Sequence, residues 1–299
     1  MLCTAAYGAT SVSALARYTG CVREWFVVLV LLVLAGLSAL VFSVRNEPGK
    51  LIVAFLDVGQ GDATFITTPS GRQILIDGGP DRSVLRELAQ HMPWWDRSID
   101  VIIATHPDAD HVSGLIDVLQ RYDTSLILEP GVMHDTPQAE SLLSLVASED
   151  AERILARRGQ YIDFGDGVRL EILFPDRDVT HLETNTASIV SRIAYGEVSV
   201  LLTGDAPEAI ETYLVSLEGA RLGSDILKAG HHGSRTSSSL IFVGYASPQY
   251  AVISRGCDNS YGHPHADVLA TFARLEVPVL DTCMEGSIIF ESDGVAFTR

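Results

Sequence analysis

The sequence has little positive charge. Its 299 residues include 21 lysines and arginines, only two of them lysines, against 38 aspartates and glutamates, so the net charge is −17. A protein that binds nucleic acid through its own surface usually presents a basic patch, and this composition therefore disfavours that class. An acidic site that holds metal ions, which in turn hold an anionic substrate, is compatible with the composition.

Cysteines, repeats and low-complexity segments are also scarce. The four cysteines, at positions 3, 21, 257 and 283, form no CxxC or Cys/His finger spacing, which excludes a zinc site of their own. Cys257 and Cys283 would pair in an oxidising compartment, but we expect two buried free thiols. The absence of a 20–50-residue period excludes a repeat architecture. With 47% apolar and 20% charged residues, the chain is not a disordered acidic tail.

One long apolar run stands near the N-terminus. Residues 25–44 carry no charge, and 20 such residues span a bilayer as a helix. We predict a tail over 1–24 and a transmembrane helix, a signal anchor, over 25–44; a cleaved signal peptide is the alternative. Local basic residues balance on the two sides and do not set the orientation. We expect a single-pass protein of the cell membrane whose acidic C-terminal domain is extracytoplasmic.

Short strands and helices alternate after this run. The pattern predicts one layered α/β domain over 48–299 with mixed sheets. Strands are expected at Leu51–Asp57, Arg72–Asp77 and Asp100–Thr105, a helix at Ser83–His91, and a long helical stretch at Thr136–Gly159.

A dense group of potential metal ligands follows the Asp100–Thr105 strand. His106, Asp108, Asp110 and His111 fall within six residues, and a tight loop after a strand allows such side chains to converge. Imidazoles and carboxylates together suit a hydrolytic divalent-metal centre. The alternative is a solvated turn in which Asp110 caps a helix, but the density of ligands favours metal.

Two later strand ends supply similar groups. Asp205 follows the apolar run at 201–203, and a carboxylate there can bridge two metal ions. His231 and His232 lie in a glycine-flanked loop after another strand. Each signal is weak alone, and together they predict one shared site.

These motifs identify a resemblance. His106-x-Asp108-x-Asp110-His111, Gly204-Asp205 and the 231–234 block resemble the metallo-β-lactamase superfamily, and most of all the metallohydrolase domain of ComEC-type DNA-internalisation competence proteins. Blocks at 56–62, 76–79 and 261–265, and Asn185 ahead of a strand, support that subgroup. The resemblance covers about residues 51–295 and implies an αββα sandwich of two mixed sheets with the metal site at one edge.

The resemblance also implies roles for individual residues. It implies that Asp205 bridges the metals and that Asp110 both ligates metal and orients the attacking water. Lys228, Ser234, Asn259 and His263 lie in motif loops, from which they could contact phosphate or protonate the leaving group, and we expect His263 to be catalytic. The alternatives are that Asn259 is a turn residue and His263 a hydrogen-bonding loop residue. Asp77 is expected to brace the loop. The implied ligands are His106, Asp108, Asp110, His111, Asp205 and one of His231 and His232, where we favour His232 as ligand and His231 as phosphate contact. The expected substrate-binding residues are Asn185, Lys228, His231, Ser234, Asn259 and His263.

The chain departs from the commoner superfamily pattern at two of these positions. Asp108 and Asn185 stand where histidines are more usual, which makes the ligand set harder. We therefore expect two divalent ions, Zn²⁺ or Mn²⁺. A single apolar segment also leaves no room for the polytopic channel of complete ComEC-type proteins, so a separate DNA-channel protein is the expected partner.

Three functional hypotheses follow. The first is a membrane-anchored phosphodiesterase or nuclease that acts on single-stranded DNA in competence-type uptake. The second keeps the metal and changes the substrate to a small phosphoester, ester or lactone. The third is a non-catalytic DNA-uptake component with a closed, structural metal site.

Overall fold

The computed structural model describes residues 26–34, 36, 49–148 and 151–299. Residues 26–34 are helical (α1) and their apolar side chains are exposed. No helix within the described residues is long and apolar enough to cross a membrane. Half of the predicted segment 25–44, and all of the tail 1–24, lies outside the described residues. Residues 49–299 form one compact unit.

Fifteen strands in the described residues build two mixed sheets. The first sheet has the order β15-β14-β1-β2-β3-β4-β5-β6 and is parallel from β3 to β6. Its strands are β1 (Leu51–Phe55), β2 (Thr64–Thr67), β3 (Gln73–Ile76), β4 (Ser98–Ile103), β5 (Asp123–Glu129), β6 (Glu152–Leu155), β14 (Ile288–Ser292) and β15 (Phe297–Thr298).

The second sheet has the order β13-β12-β11-β10-β9-β8-β7 and is parallel from β10 to β13. Its strands are β7 (Tyr161–Asp163), β8 (Val168–Phe174), β9 (Val190–Tyr195), β10 (Val198–Leu202), β11 (Ile226–Lys228), β12 (Tyr250–Ile253) and β13 (Val279–Asp281).

Helices cover the outer face of each sheet. The first sheet carries α2 (Ser83–His91), α3 (Ala109–Leu119) and α4 (Pro137–Ser148). The second carries α5 (Glu208–Glu218), α6 (Leu240–Ala246) and α7 (Ala266–Arg274), and a single turn, α8 (Thr282–Glu285), follows β13.

The alternation of side chains along the strands explains this layering. Ile74, Ile76 and Ile103 point between the sheets, whereas Leu75 and Ile102 point toward the helices. Both faces of each sheet are therefore buried, which requires apolar residues at successive positions. The result is the expected αββα arrangement of two mixed sheets.

Two predictions were wrong. Thr136–Gly159 is not one helix: α4 ends at Ser148, and 152–155 pair in parallel with β5 as the edge strand β6. Cys257 and Cys283 are not buried free thiols, because they form a disulfide whose cysteines are exposed and half-buried. This bond ties the loop after β12 to α8.

Candidate metal centre

Ligand-type side chains gather where the strands of both sheets end. Asp77 follows β3, and Asp205 and the paired histidines follow β10 and β11. After β4 come the short ligand loop Thr105–Asp108 and the first turn of α3, which carries Asp110 and His111. The loops of the two sheets meet, because His111 Nε2 lies 3.3 Å from Asp205 Oδ2. The predicted groups therefore converge in space.

A hydrogen-bond chain fixes the orientation of His106. Thr105 Oγ1 donates to Asp77 Oδ2 at 2.7 Å, so it can only accept from His106 Nδ1, which lies 3.0 Å away. The lone pair of His106 therefore sits on Nε2, an atom that is buried without a hydrogen-bond partner in the described residues. A buried orphan of this kind requires a ligand, and a metal ion fits it.

His111 and His232 are oriented in the same way. Their Nδ1 atoms donate to Asp77 Oδ2 at 2.8 Å and to the carbonyl of Ser254 at 3.0 Å. Their Nε2 atoms are also buried without a hydrogen-bond partner among the described groups, and they lie 3.3 and 3.4 Å from Asp205 Oδ2. Three imidazoles thus present Nε2 toward the region of Asp205, with the opposite nitrogen anchored in each case.

Two carboxylates complete the cluster on its open side. Asp108 Oδ2 lies 3.7 Å from His106 Nε2, and Asp110 Oδ2 lies 3.3 Å from His232 Nε2. Their side chains are 33% and 34% exposed, whereas Asp205 is buried. His106 with Asp108 and His232 with Asp110 form two flanks around Asp205, and the donor set fits divalent cations.

Burial and the carboxylates pull the histidine pKa values in opposite directions. Burial, and then the charge of His111, holds the pKa of His106 well below its ordinary value. Burial also lowers the pKa of His232, but Asp205 and Asp62 outweigh it and raise that pKa to about 9. Cation binding must displace the His232 proton, so the affinity of this centre for metal falls as the pH is lowered.

Sequence reasoning missed Asp62 as a site residue. Its Oδ2 pairs with Lys228 Nζ, and its Oδ1 lies 3.1 Å from His232 Nδ1. Burial raises the pKa of this carboxyl, but Lys228 and His232 outweigh burial and lower it. In the sequence, Asp62 was noted only as the last residue of the 56–62 block. That block does not indicate that Asp62 pairs with Lys228 and His232.

Thr105 and His134 were also missed. Thr105 orients His106 through its hydroxyl, and His134 Nε2 lies 3.8 Å from Asp108 Oδ1. Thr105 directly precedes His106 in the sequence, so it could have been predicted as a site residue from that position. His134 lies in the segment between β5 and α4, where the sequence has no motif.

The backbone is strained at the site. Of the six non-glycine residues with positive φ in the described chain, three lie here: Asp77 at 60°, His231 at 50° and His232 at 54°. Such conformations cost about 1–3 kcal/mol each and persist where surrounding contacts hold them. At Gly78 the chain also passes so close to α3 that a Cβ would stand 2.5 Å from Leu115 N. The glycine lets the Asp77 loop reach the ligands.

Three aromatic side chains form the rim beside Asp205. His231 Nε2 lies 3.7 Å from Asp205 Oδ2, farther than His232, and its side chain is 26% exposed. The His263 ring packs edge-on against His231 and stacks with the exposed Tyr261. Burial, followed by the charges of His231 and His232, lowers the pKa of His263 to about 4. His263 is therefore a neutral imidazole at pH 7.

The structure buries Lys228, one of the predicted substrate contacts. Its side chain is 4% exposed and pairs with Asp62 behind the ligands, so it has no surface to offer a phosphate. Asn259 uses both ends of its amide on the chain around it: Nδ2 donates to the carbonyls of Gly256 and His263, and Oδ1 accepts from His263 N. It braces the loop that carries His263.

Ser234 and Asn185 lie next to site residues. Ser234 is buried, and its hydroxyl bonds with that of Thr236, which also contacts His231 Nδ1. The Oδ1 of Asn185 is buried and has no hydrogen-bond partner in the described chain. Burial raises the pKa of the Asp108 carboxyl, and Thr184, next to Asn185 in the chain, partly offsets that rise.

Several named proteins are similar to most of this chain in sequence. The chain is 28% identical over 258 residues to the ComE operon protein 3 of Bacillus subtilis (strain 168), covering 79% of this chain and 32% of that protein. It is 30% identical over 239 residues to the competence protein ComA of Neisseria gonorrhoeae, covering 80% and 32%. Recombination protein 2 of Haemophilus influenzae is 30% identical over 261 residues, covering 86% and 31%. The chain thus spans about a third of the length of these relatives.

Solved structures share the fold. Igni18, a metallo hydrolase of Ignicoccus hospitalis, has a TM-score of 0.51 at 15% identity and covers 81% of this chain and 100% of its own. CmlA of Streptomyces venezuelae, a diiron β-hydroxylase, has a TM-score of 0.52 at 14% identity and covers 81% and 54%. At such identities the likeness concerns the fold alone.

A family model settles the assignment. The model of the metallo-β-lactamase superfamily matches residues 56–256, which include the ligand loop, Asp205 and the paired histidines. The resemblance read from the sequence, including that to ComEC-type competence proteins, is confirmed. The chain belongs to the metallo-β-lactamase superfamily, a family of metal-dependent hydrolases.

Proposed function

We propose that this protein is a phosphodiesterase that uses two divalent cations, Zn²⁺ or Mn²⁺, and cleaves single-stranded DNA. The observation that carries the proposal is the convergence of three anchored imidazole Nε2 atoms on the Asp205 region. Cations held there would polarise a phosphoryl oxygen and make water a nucleophile at neutral pH. The names of the relatives, which refer to competence and recombination, support DNA as the substrate.

The charge of the cluster supports two cations. The cluster contains five carboxylates, of Asp62, Asp77, Asp108, Asp110 and Asp205, and one ammonium, that of Lys228, which pairs with Asp62 and Asp205. With neutral imidazoles they leave four negative charges, which two divalent cations neutralise. Desolvated charge of this size is costly unless it is compensated.

The residues of the chain have distinct tasks in this proposal. His106, Asp108, Asp110, His111, Asp205 and His232 hold the cations. Asp110, one-third exposed, orients the attacking water, and His231 contacts the phosphate. His263 is neutral and donates a hydrogen bond toward the leaving oxygen, so it is not a charged acid. The exposure of Asp108 and Asp110 disfavours a closed structural site.

We also propose that residues 25–44 anchor the domain 48–299 to the cell membrane, after a short tail, 1–24. The uncharged 20-residue run supports this. The disulfide between Cys257 and Cys283 supports an oxidising, extracytoplasmic location. A separate channel protein would deliver the strand. Membrane extraction of the full chain with carbonate and with detergent tests the anchor: release by carbonate alone would contradict it.

Cleavage assays test the catalytic proposal. The full chain is incubated with end-labelled single-stranded DNA and Mn²⁺ or Zn²⁺, beside His106→Ala and Asp205→Ala. Loss of metal stabilisation is worth several kcal/mol, so both variants are expected to cleave about a hundred to a thousand times more slowly. His181→Ala, an exposed histidine outside the cluster, is the matched control. Wild-type rates in the two site variants would refute the proposal, and faster turnover of model esters or lactones would favour the small-substrate alternative.

A further inference from the structure

A second concave site, which shares no residue with the metal centre, lies along α2. It is a cavity of about 530 Å³, and its lining contains four arginines and no acidic residue. We call it the arginine groove, after Arg82, Arg86, Arg97 and Arg121. In a chain of net charge −17, a cavity lined by four cations and no acid is a local reversal of sign.

The guanidinium groups of the arginine groove are largely unpaired. Arg86 Nε lies 3.1 Å from Glu87 Oε1. The exposed side chains of Arg82, Arg97 and Arg121 form no hydrogen bond or ion pair with any residue in the described part of the chain. The nearby Asp81 accepts from Ser83 N, and that contact, together with the charges of Arg82 and Arg86, lowers the pKa of its carboxyl. Free planar guanidinium groups are suited to bidentate phosphate contacts.

Exposed indole rings flank the same groove. Trp94, which lines it, is 80% exposed, and Trp95 is 68% exposed. The two rings meet edge to face with centroids 5.6 Å apart. Adjacent exposed tryptophans of this kind mark a contact surface, and an indole face beside cations is a platform for a nucleobase.

We propose that the arginine groove binds single-stranded nucleic acid, with a base stacked on Trp94 and phosphates on Arg97 and Arg121. This inference rests on the proposed function for its choice of strand, although it needs no catalysis. The Arg82 end of the groove, at the start of α2, adjoins the loops of the metal centre, because Ser83 Oγ donates to the carbonyl of Val58 in the loop before Asp62. Trp94, Arg97 and Arg121 line the other end, past the C-terminus of α2 and before β4 and β5.

Binding of the full chain, in neutral detergent with EDTA, to a fluorescein-labelled dT12 tests the groove. Stacking on an aromatic ring is worth about 1–3 kcal/mol per base, so Trp94→Ala is expected to weaken binding by about 5- to 150-fold. The double variant Arg97→Ala/Arg121→Ala is expected to flatten the slope of log K against log salt by about 1.4. Arg274→Ala and Tyr245→Ala, exposed residues outside the groove, are the matched controls.

The outcomes separate the two proposals. If dT12 binding is absent, or is unchanged in the groove variants, the groove proposal is overturned. It is also overturned if those variants lose only binding to anionic phospholipid vesicles, because the surface then serves a membrane. Groove-dependent binding without Mn²⁺- or Zn²⁺-dependent cleavage supports the groove and contradicts the proposed function. Metal-dependent cleavage by a protein whose dT12 binding does not depend on the groove supports the proposed function and contradicts the groove proposal. Thermal unfolding of each variant verifies that it is folded.

Discussion

At the scale of single residues, the metal centre depends on how each imidazole is held. Asp77 is the shared anchor: its Oδ2 accepts from the Thr105 hydroxyl and from His111 Nδ1, and its Oδ1 accepts from Thr105 N. Through Thr105 it also fixes His106. One carboxylate thus orients two proposed ligands, His106 and His111.

Asp77→Asn tests this anchoring. The amide presents an NH₂ group to at least one of these donors, so His111 or Thr105 loses its acceptor. We expect metal affinity to fall about 10- to 100-fold, as is typical when an outer partner of a ligand is removed. Competition against a chromophoric chelator measures it, with the exposed Asp293→Asn as control. Unchanged affinity would show that the imidazoles do not depend on Asp77.

Some residues of the metal centre could be predicted from the sequence, and others could not. The motif residues His106, His111, Asp205 and His232 were identified because their spacing places them at strand ends. Asp62 and Lys228 form a buried pair between residues 166 positions apart, and no local pattern records that partnership. The buried state of Lys228 follows from the packing of the chain around it.

At the scale of elements, the helices on the second sheet are joined by a buried carboxylate. Glu211 in α5 accepts from Ser238 N and Ser239 N, immediately before α6 begins at Leu240. These residues follow the paired-histidine loop, so Glu211 holds the chain beyond the ligand segment. Burial raises its pKa to about 7, against an ordinary value of 4.5.

Glu211→Gln tests the coupling of this contact to pH. A raised pKa means that the folded state binds more protons than the unfolded state between about pH 4.5 and 7, so this group lowers stability as the pH rises through that window. The amide cannot ionise. Relative to the variant, the wild type should lose about 3 kcal/mol of unfolding free energy from pH 4.5 to pH 8. Urea denaturation at several pH values measures it, and a pH-independent difference would contradict it.

Element boundaries were less predictable than element types. Ser83–His91 is a helix with the predicted bounds, because its apolar residues fall at helical spacing. The segment at 152–155 was predicted as part of the long helical stretch Thr136–Gly159. It is a strand because β5 offers it an open edge for parallel pairing, a long-range fact that no local pattern contains.

At the scale of the whole molecule, the disulfide cross-links two loops of the C-terminal region that are 26 residues apart. Cys257 and Cys283, 26 residues apart, tie the loop that carries Asn259 and His263 to the turn after β13. The sequence offered this pairing as the alternative to free thiols. Spacing alone did not decide between them, because the two loops are brought together by neighbouring parallel strands β12 and β13.

Removing the disulfide should destabilise the domain. For a loop of this length, the chain-entropy model gives about 3–4 kcal/mol. Cys257→Ser/Cys283→Ser is expected to unfold at lower urea concentration than the oxidised wild type, by that amount of free energy. Reductant should lower the stability of the wild type and leave the double variant unchanged. Equal stability of oxidised and reduced wild type would contradict the prediction.

The net charge of the whole chain does not describe how its charged groups are distributed. Composition alone disfavoured a nucleic-acid binder, yet the positive groups are not evenly spread: four arginines line one groove, and the metal centre gathers five carboxylates that cations would neutralise. Net charge averages over such features, so it could not predict either of them.

The number of metal ions per chain tests the proposal that the metal centre holds two divalent cations. The full chain is loaded with Mn²⁺, desalted, and its metal content is determined by mass spectrometry beside Asp205→Ala and the control His181→Ala. We expect two ions per chain in the wild type and the control. We expect Asp205→Ala to lose both, because its carboxylate lies between the His106–Asp108 pair and the His232–Asp110 pair. A single ion in the wild type, or two ions retained without Asp205, would contradict it.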